Sequence, residues 1–278
     1  MRAFDALVLD VDGTLVGAAG TIHPQTVAAI QRLSAAGGLV LIATGRSELG
    51  TLAILDQLGL TTPAVVFNGA GVWCPVQKKL VEERLLSNRA VDRVLGFARH
   101  EDVLAVVMGH GQKFALAPRN DSERRALTDM LGLEFVEFDA LPREYLIRIS
   151  LFSARHGNSA AFSAQLERAI DLPLYLTDFP LDHLAGHRES PLQVVDVQPP
   201  CRGKGEALRI LREQFGVPAS RVVAVGDGGN DVPMLLDAGL GCAMEVSLPE
   251  AHAAAARTLG PVESDTIAQL IAEVFPWA

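Results

Sequence analysis

The sequence predicts an α/β protein, a doubly wound parallel sheet interrupted by an inserted α+β segment. Three observations lead there. Short apolar runs alternate with helically spaced segments at both ends of the chain. The middle changes to pairs of strands set between helices. Several of the apolar runs end in turns rich in Gly and polar residues, where open α/β sheets bind ligands.

The elements follow in order. Residues 4–9 (FDALVL) form a short apolar run, read as a buried strand. Residues 24–36 space Val27, Ile30 and Leu33 as a helix does, with Pro24 at the start and Gly37 past the end. Residues 39–43 (LVLIA) are a second buried strand, 49–58 a helix closed by Gly59, and 63–67 (PAVVF) a third strand. Strands alternating with helices predict a parallel sheet covered on both faces. The same grammar resumes late in the chain. Residues 192–197 and 221–225 read as strands, and 204–215, 232–237, 251–256 and 267–275 as helices. In between, 104–108 and 113–116 flank Gly109-His110-Gly111 as a hairpin. Helices are expected over 123–131 and 160–170, a half-exposed strand over 145–152 and another strand over 174–177. The expected division is a discontinuous core, residues 1–78 and 191–278, around an inserted domain at 79–190.

Composition narrows the function. The 278 residues carry a net charge of −9, with 49% hydrophobic and 5% aromatic residues. Such a chain is too apolar for disorder. Its acidity argues against nucleic acid as a partner, because that binding needs clustered Lys and Arg. Cys74, Cys201 and Cys242 are odd in number and far apart, which disfavours a disulfide framework or a zinc site. The start of the chain shows no signal-peptide core, and no apolar stretch reaches the roughly 20 residues of a membrane helix. The expectation is a cytoplasmic protein with no membrane partner.

Four stretches could carry chemistry. Asp10-Val11-Asp12-Gly13-Thr14 puts two carboxylates on a turn leaving a strand, where one can attack and the other carry a proton. It could equally be a solvated turn, but it is no calcium loop, since Gly13 and Thr21 stand at the wrong positions. Thr44-Gly45-Arg46 offers a hydroxyl and backbone N–H groups to an anion; by itself it reads better as a strand-to-helix turn. Gly203-Lys204-Gly205 places a cation at a helix N-terminus, against the dipole, which an anionic ligand would explain. It is not a Walker loop, because Gly205 stands where Ser or Thr is required. Asp227-Gly228-Gly229-Asn230-Asp231 presents oxygen ligands for a hard cation on a Gly-rich turn. Together the four supply a metal site, phosphate donors and a nucleophile, the needs of Mg²⁺-assisted phosphoryl transfer.

In this order, the four stretches resemble the motifs of the haloacid dehalogenase (HAD) superfamily, and most of all its Cof-type phosphatases. Residues 65–70 (VVFNGA) also resemble that family's strand followed by Asn-Gly. The resemblance implies a Rossmann-like core and a C2-type cap at the insertion. It implies a phosphatase acting on a small phosphorylated metabolite, such as a sugar phosphate or a phosphorylated cofactor. It further implies that Asp10 attacks phosphorus to give an aspartyl-phosphate, and that Asp12 protonates the leaving oxygen and then activates water. Mg²⁺ would bind Asp10, the Asp12 carbonyl and Asp227. Val11, Thr44, Gly45, Lys204 and Asn230 would hold phosphoryl oxygens, with Asp231 a further metal ligand or a group orienting Lys204. Where the family often reads A-M-x-N-A, this chain has Ala243-Met244-Glu245-Val246-Ser247, so no contact is carried over from that loop.

Other residues read structurally. His183 and His187 lie four apart, but Gly186 and the nearby prolines favour a loop over a zinc-binding helix. Arg46 is expected to pair with an acidic core residue rather than with phosphate, and Trp73 and Trp277 to pack. Transfer of the phosphoryl group to an acceptor uses the same residues as hydrolysis. A silent phosphate-binding module is disfavoured because Asp10, Asp12 and Asp227 are all present.

Overall fold

The structure, a computed structural model, describes residues 3–128 and 130–277. The chain divides into two compact units, residues 1–82 with 202–278 and residues 83–201. The first begins with β1 (Ala6–Leu9), buried at every position. Helix α1 (Pro24–Ala35) starts on proline and buries Thr26, Ala29, Ile30 and Leu33, one stripe of a 3.6-residue period. After β2 (Leu39–Ile42), α2 (Glu48–Leu58) is capped by Ser47, whose hydroxyl accepts from the Gly50 N–H, and ends on left-handed Gly59. Strands β3 (Ala64–Val66), β4 (Gly71–Cys74) and β5 (Lys79–Glu83) form a small sheet.

The second unit contains α3 (Asn88–His100), β6 (Leu104–Gly109), β7 (Gln112–Ala115), α4 (Asp121–Leu127), β8 (Leu133–Phe135), β9 (Arg148–Ser153), α5 (Ser159–Ile170), β10 (Tyr175–Pro180) and β11 (Gln193–Gln198). Its six-stranded sheet runs β10-β11-β9-β6-β7-β8, antiparallel except where β8 joins β7. Val91, Val94 and Leu95 of α3 and Phe162 and Leu166 of α5 share a core with Val107, Ile149, Leu151, Val195 and Val197. Those strand residues alternate, so both helices cover one face of the sheet.

The first unit resumes with α6 (Glu206–Phe215), β12 (Val222–Gly226), α7 (Val232–Asp237), β13 (Leu240–Ala243), α8 (Pro249–Ala254), β14 (Arg257–Thr258) and α9 (Thr266–Val274). Its five strands are parallel, in the order β14-β13-β12-β1-β2. Ala6, Val8, Leu41 and Ala224 pack with Leu208 and Leu211 of α6 and Met234 of α7. The alternate positions Leu7, Leu9, Val40 and Val225 are also fully buried, as in a sheet covered on both faces. The strand order reverses between β1 and β12, and the turns leaving those two strands flank the switch point where such sheets bind ligands.

Several expectations change. Strand 192–197, read with the discontinuous core, is β11 of the second unit, between β9 and β10. The strand expected over 145–152 and read as half-exposed is β9, Arg148–Ser153, buried at every position, while Tyr145 before it is exposed. The two findings share a cause: Arg148 and Ser150 of β9 bond Asp196 of β11, so polar residues are satisfied without solvent. Residues 63–67 meet the parallel sheet through an isolated bridge between Val65 and Ala43, and β3 pairs antiparallel with β4. The helix expected over 123–131 ends at Leu127; Asp129 lies outside the described residues, as do Met1 and Arg2 of the inspected start. In keeping with the loop expected around His183 and His187, Leu181–His183 and Ala185–His187 are single 3₁₀ turns. No helix among the described residues is long and apolar enough to cross a membrane.

Candidate active site

The turn after β1 is held against β12, where the Asp10 N–H donates to the Val225 carbonyl at 3.0 Å. The chain then folds back, with the Leu15 and Val16 N–H groups on the Val11 carbonyl. Gly13 sits at φ 78°. A Cβ there would lie 2.3 Å from Asp227 Oδ2, so both backbone and space require glycine. The Thr14 hydroxyl donates to Asp227 Oδ1 at 2.7 Å and fixes that carboxylate.

The turn after β12 is organised by Asp231. Its Oδ2 accepts from the Asp227 and Gly228 N–H groups, each at 2.9 Å. Its Oδ1 accepts from Lys204 Nζ at 2.7 Å. Lys204 also reaches Asp10 Oδ1 at 2.6 Å, and its side chain is only 2% exposed. The Gly203–Gly205 turn that carries it opens α6 and touches the turn after β3, since a Cβ on Gly69 would fall 2.2 Å from the Gly203 carbonyl oxygen.

Charge explains the titration of this cluster. Burial is the main force holding the Asp10 carboxyl well above the usual range; Asp231 and Asp227 add to it and Lys204 opposes. Burial, then the Asp231 charge, pushes Asp227 up to about 6 against the Thr14 hydrogen bond. Burial acts to lower the Lys204 pKa, but Asp10 and Asp231 outweigh it and raise it. Carboxylate oxygens of Asp10, Asp227 and Asp231 lie within 4.8 Å of one another, the one such potential metal group among the described residues.

Thr44 and Gly45 follow β2. The Thr44 hydroxyl accepts from the Arg46 N–H, and its carbonyl accepts from the Asn68 N–H at 3.0 Å. Asn68 Oδ1 in turn accepts from Asn230 Nδ2 at 3.0 Å. Asn68 therefore ties the Thr44-Gly45 turn to the Asp227–Asp231 turn. Sequence reasoning gave it no role beyond the VVFNGA resemblance. Its signal was Asn before Gly, a pair suited to consecutive positive φ angles, here 50° and 94°. Arg46 pairs with an acid, as expected, and that acid is Asp12. Its Nε and NH2 donate to the two Asp12 oxygens at 2.9 and 2.6 Å, a fork-to-carboxylate geometry. The structure thus gathers Asp10, Lys204, Asp227 and Asp231 tightly, and Thr44, Gly45 and Asn230 through Asn68. Asp12 shares the turn of Asp10 and Val11, but its carboxylate turns to Arg46.

Comparison with known proteins gives the family. The family model for haloacid dehalogenase-like hydrolases matches residues 7–271. The 5-amino-6-(5-phospho-D-ribitylamino)uracil phosphatase YitU of Bacillus subtilis is 28% identical, over 97% of each chain. The pyridoxal phosphate phosphatase YbhA of Escherichia coli is 27% identical, over 95% of this chain and 96% of its own. A solved HAD subclass IIB sugar phosphatase has the same fold, with a TM-score of 0.81 at 21% identity over 99% of this chain and 100% of its own. The chain belongs to the haloacid dehalogenase-like hydrolases, as a phosphoric monoester hydrolase.

Proposed function

We propose that the protein hydrolyses a small phosphorylated metabolite through an aspartyl-phosphate on Asp10. The observation that carries this reading is Lys204, buried between Asp10 and Asp231 beside Asp227. Three ionised carboxylates with one ammonium leave this cluster at −2, and the donors are all oxygen. That fits a divalent hard cation such as Mg²⁺. Asp10, Asp227 and the Asp12 carbonyl would hold it, and when bound it offsets the charge of substrate phosphate. Both Asp231 oxygens are already taken by Lys204 and two N–H groups, so Asp231 is a positioning residue for Lys204 and for the Asp227 turn.

In this reading Thr44, the Gly45 and Val11 N–H groups, Lys204 and Asn230 hold the phosphoryl oxygens, with Asn68 aligning two of these turns. An Asp10 oxygen attacks phosphorus while Asp12 gives its proton to the leaving oxygen. Asp12 then takes a proton from water, whose oxygen attacks the phosphoryl group, releasing phosphate and restoring Asp10. Arg46 orients the Asp12 carboxylate. Residues 83–201 are the C2-type cap and carry substrate selection. The named substrates of the relatives, a ribitylaminouracil phosphate and pyridoxal phosphate, support a small metabolite as partner.

The test is hydrolysis of p-nitrophenyl phosphate with and without Mg²⁺, beside Asp10→Asn. Metal-dependent turnover that the substitution abolishes is the expected result. Equal turnover by the variant would refute Asp10 as nucleophile.

A further inference from the structure

The turn after β3 holds three consecutive residues with left-handed backbone: Phe67 at φ 51°, Asn68 at φ 50° and Gly69 at φ 94°. Glycine adopts such angles freely and asparagine tolerates them, but an aromatic residue there is a genuine outlier. Both Phe67 and Asn68 are buried. Backbone strain of this kind persists only where its surroundings over-determine it, and it gathers at functional sites. The surroundings here are the three turns of the first unit that the phosphatase reading gives to phosphate.

Against the turn after β2, the Phe67 N–H donates to the Arg46 carbonyl at 2.8 Å and the Asn68 N–H to the Thr44 carbonyl at 3.0 Å. The Asn68 amide lies on Gly45, where a Cβ would stand 3.0 Å from Asn68 Oδ1 and 3.3 Å from its Nδ2. Gly45 is not left-handed, so the close approach of this amide, not the backbone angle, calls for glycine there. Gly69 packs on the turn that carries Lys204, with room for no Cβ beside the Gly203 carbonyl. Against the turn after β12, Asn68 Oδ1 accepts from Asn230 Nδ2 at 3.0 Å. An amide nitrogen carries two hydrogens. Giving one to Asn68 fixes the plane of the Asn230 amide and leaves the other to donate to a phosphoryl oxygen.

We infer that Asn68 is a positioning residue of the phosphoryl-transfer site: its side-chain oxygen, held in place by the left-handed turn, sets the Asn230 amide for its grip on phosphate without touching the substrate itself. Phe67 and Gly69 supply the backbone path that brings Asn68 between the two turns. The inference rests on the phosphatase reading, from which it takes Asn230 to be a phosphate donor.

The experiment measures kcat and KM for p-nitrophenyl phosphate with Mg²⁺, and inhibition by inorganic phosphate. Asn230→Ala is placed in three backgrounds: wild type, Asn68→Gly and Asn68→Asp. Glycine suits φ 50° and removes the amide, whereas aspartate tolerates that angle and keeps an acceptor oxygen for Asn230. Asn68→Gly should melt cooperatively, lose about tenfold or more in kcat/KM and be inhibited less by phosphate. The cost of Asn230→Ala should be about tenfold smaller in Asn68→Gly than in wild type, because the tie is already gone. In Asn68→Asp that cost should stay close to the wild-type one; the added negative charge is common to both members of the comparison and cancels. An equal cost in all three backgrounds, as a merely structural Asn68 would give, overturns the assignment. So does Asn68→Gly with wild-type kcat/KM, or one that does not fold, which would make the amide part of the core rather than of the site. Failure of the wild-type chain to hydrolyse p-nitrophenyl phosphate overturns the phosphatase reading and the assignment with it; wild-type turnover with equal costs overturns the assignment alone.

Discussion

Lys204→Met isolates the electrostatic hub of the first unit. The wild-type ammonium lies 2.6 Å from Asp10 Oδ1 and 2.7 Å from Asp231 Oδ1, in a site closed to solvent. At an effective dielectric near 20, each contact is worth about 6 kcal/mol of attraction. Desolvation of the buried ammonium offsets much of that, and loss of one partner from a buried pair costs about 3–5 kcal/mol net. For a unit of this size, about 2–4 °C is lost per kcal/mol, so the metal-free variant should melt about 6–20 °C below wild type near pH 7.5. The deficit should shrink near pH 5. There Asp227, with a pKa of about 6, takes up a proton, and Asp10, whose carboxyl burial holds well above the usual range, shifts the same way, so the need for the cation falls. A second substitution, Asp231→Asn, removes one stranded charge and should restore at least about 1 kcal/mol in the Lys204→Met background while destabilising the wild type. Thermal unfolding by circular dichroism, with chelator present, reads all four proteins. The reasoning fails if Lys204→Met melts within about 2 °C of wild type, or if the two losses simply add.

Two further expectations follow from the same cluster. Gly13→Ala forces a side chain into φ 78° and sets its Cβ 2.3 Å from Asp227 Oδ2, so that carboxylate must move. The midpoint for Mg²⁺ activation of p-nitrophenyl phosphate hydrolysis should rise by about tenfold or more, corresponding to about 1.4 kcal/mol; an unchanged midpoint would show that Asp227 is not a ligand. The second concerns pH. The folded metal-free protein holds the Asp227 proton up to about 6, whereas the unfolded chain releases it near the ordinary aspartate value of 3.8. The folded state therefore binds more protons within that window. The Asp227 contribution to stability is present below it and is lost as pH rises through about 6. Mg²⁺ competes with that proton, so saturating Mg²⁺ should raise the melting temperature more near pH 7.5 than near pH 5, and an equal gain at both would refute the argument.

The site was more legible than the fold around it, for a physical reason. The turns that carry Asp10, Thr44 and Asp227 each follow an apolar strand that is easy to see, and a parallel sheet brings the carboxyl ends of its strands to one edge whatever lies between them in sequence. The sequence pattern therefore brings Asp10 and Asp227 together across more than two hundred residues. Lys204 was legible because a cation at a helix N-terminus opposes the dipole and needs an anionic reason to be there. Asn68 was harder to see. Its work is done by a side-chain oxygen on Asn230 and a backbone N–H on Thr44, and neither contact leaves a periodic trace.

The misplacement of β11 shows where a strand pattern stops carrying information. A run such as Val194-Val195-Asp196-Val197 is buried on both faces in either sheet, so its hydrophobic content fits both. What assigns it is Asp196, a carboxylate that a sheet interior cannot hold without a partner. The partner is Arg148, 48 residues earlier, on the strand expected to be half-exposed. Reading 145–152 as half-exposed and 192–197 as part of the core were thus one error, the omission of a single buried ion pair.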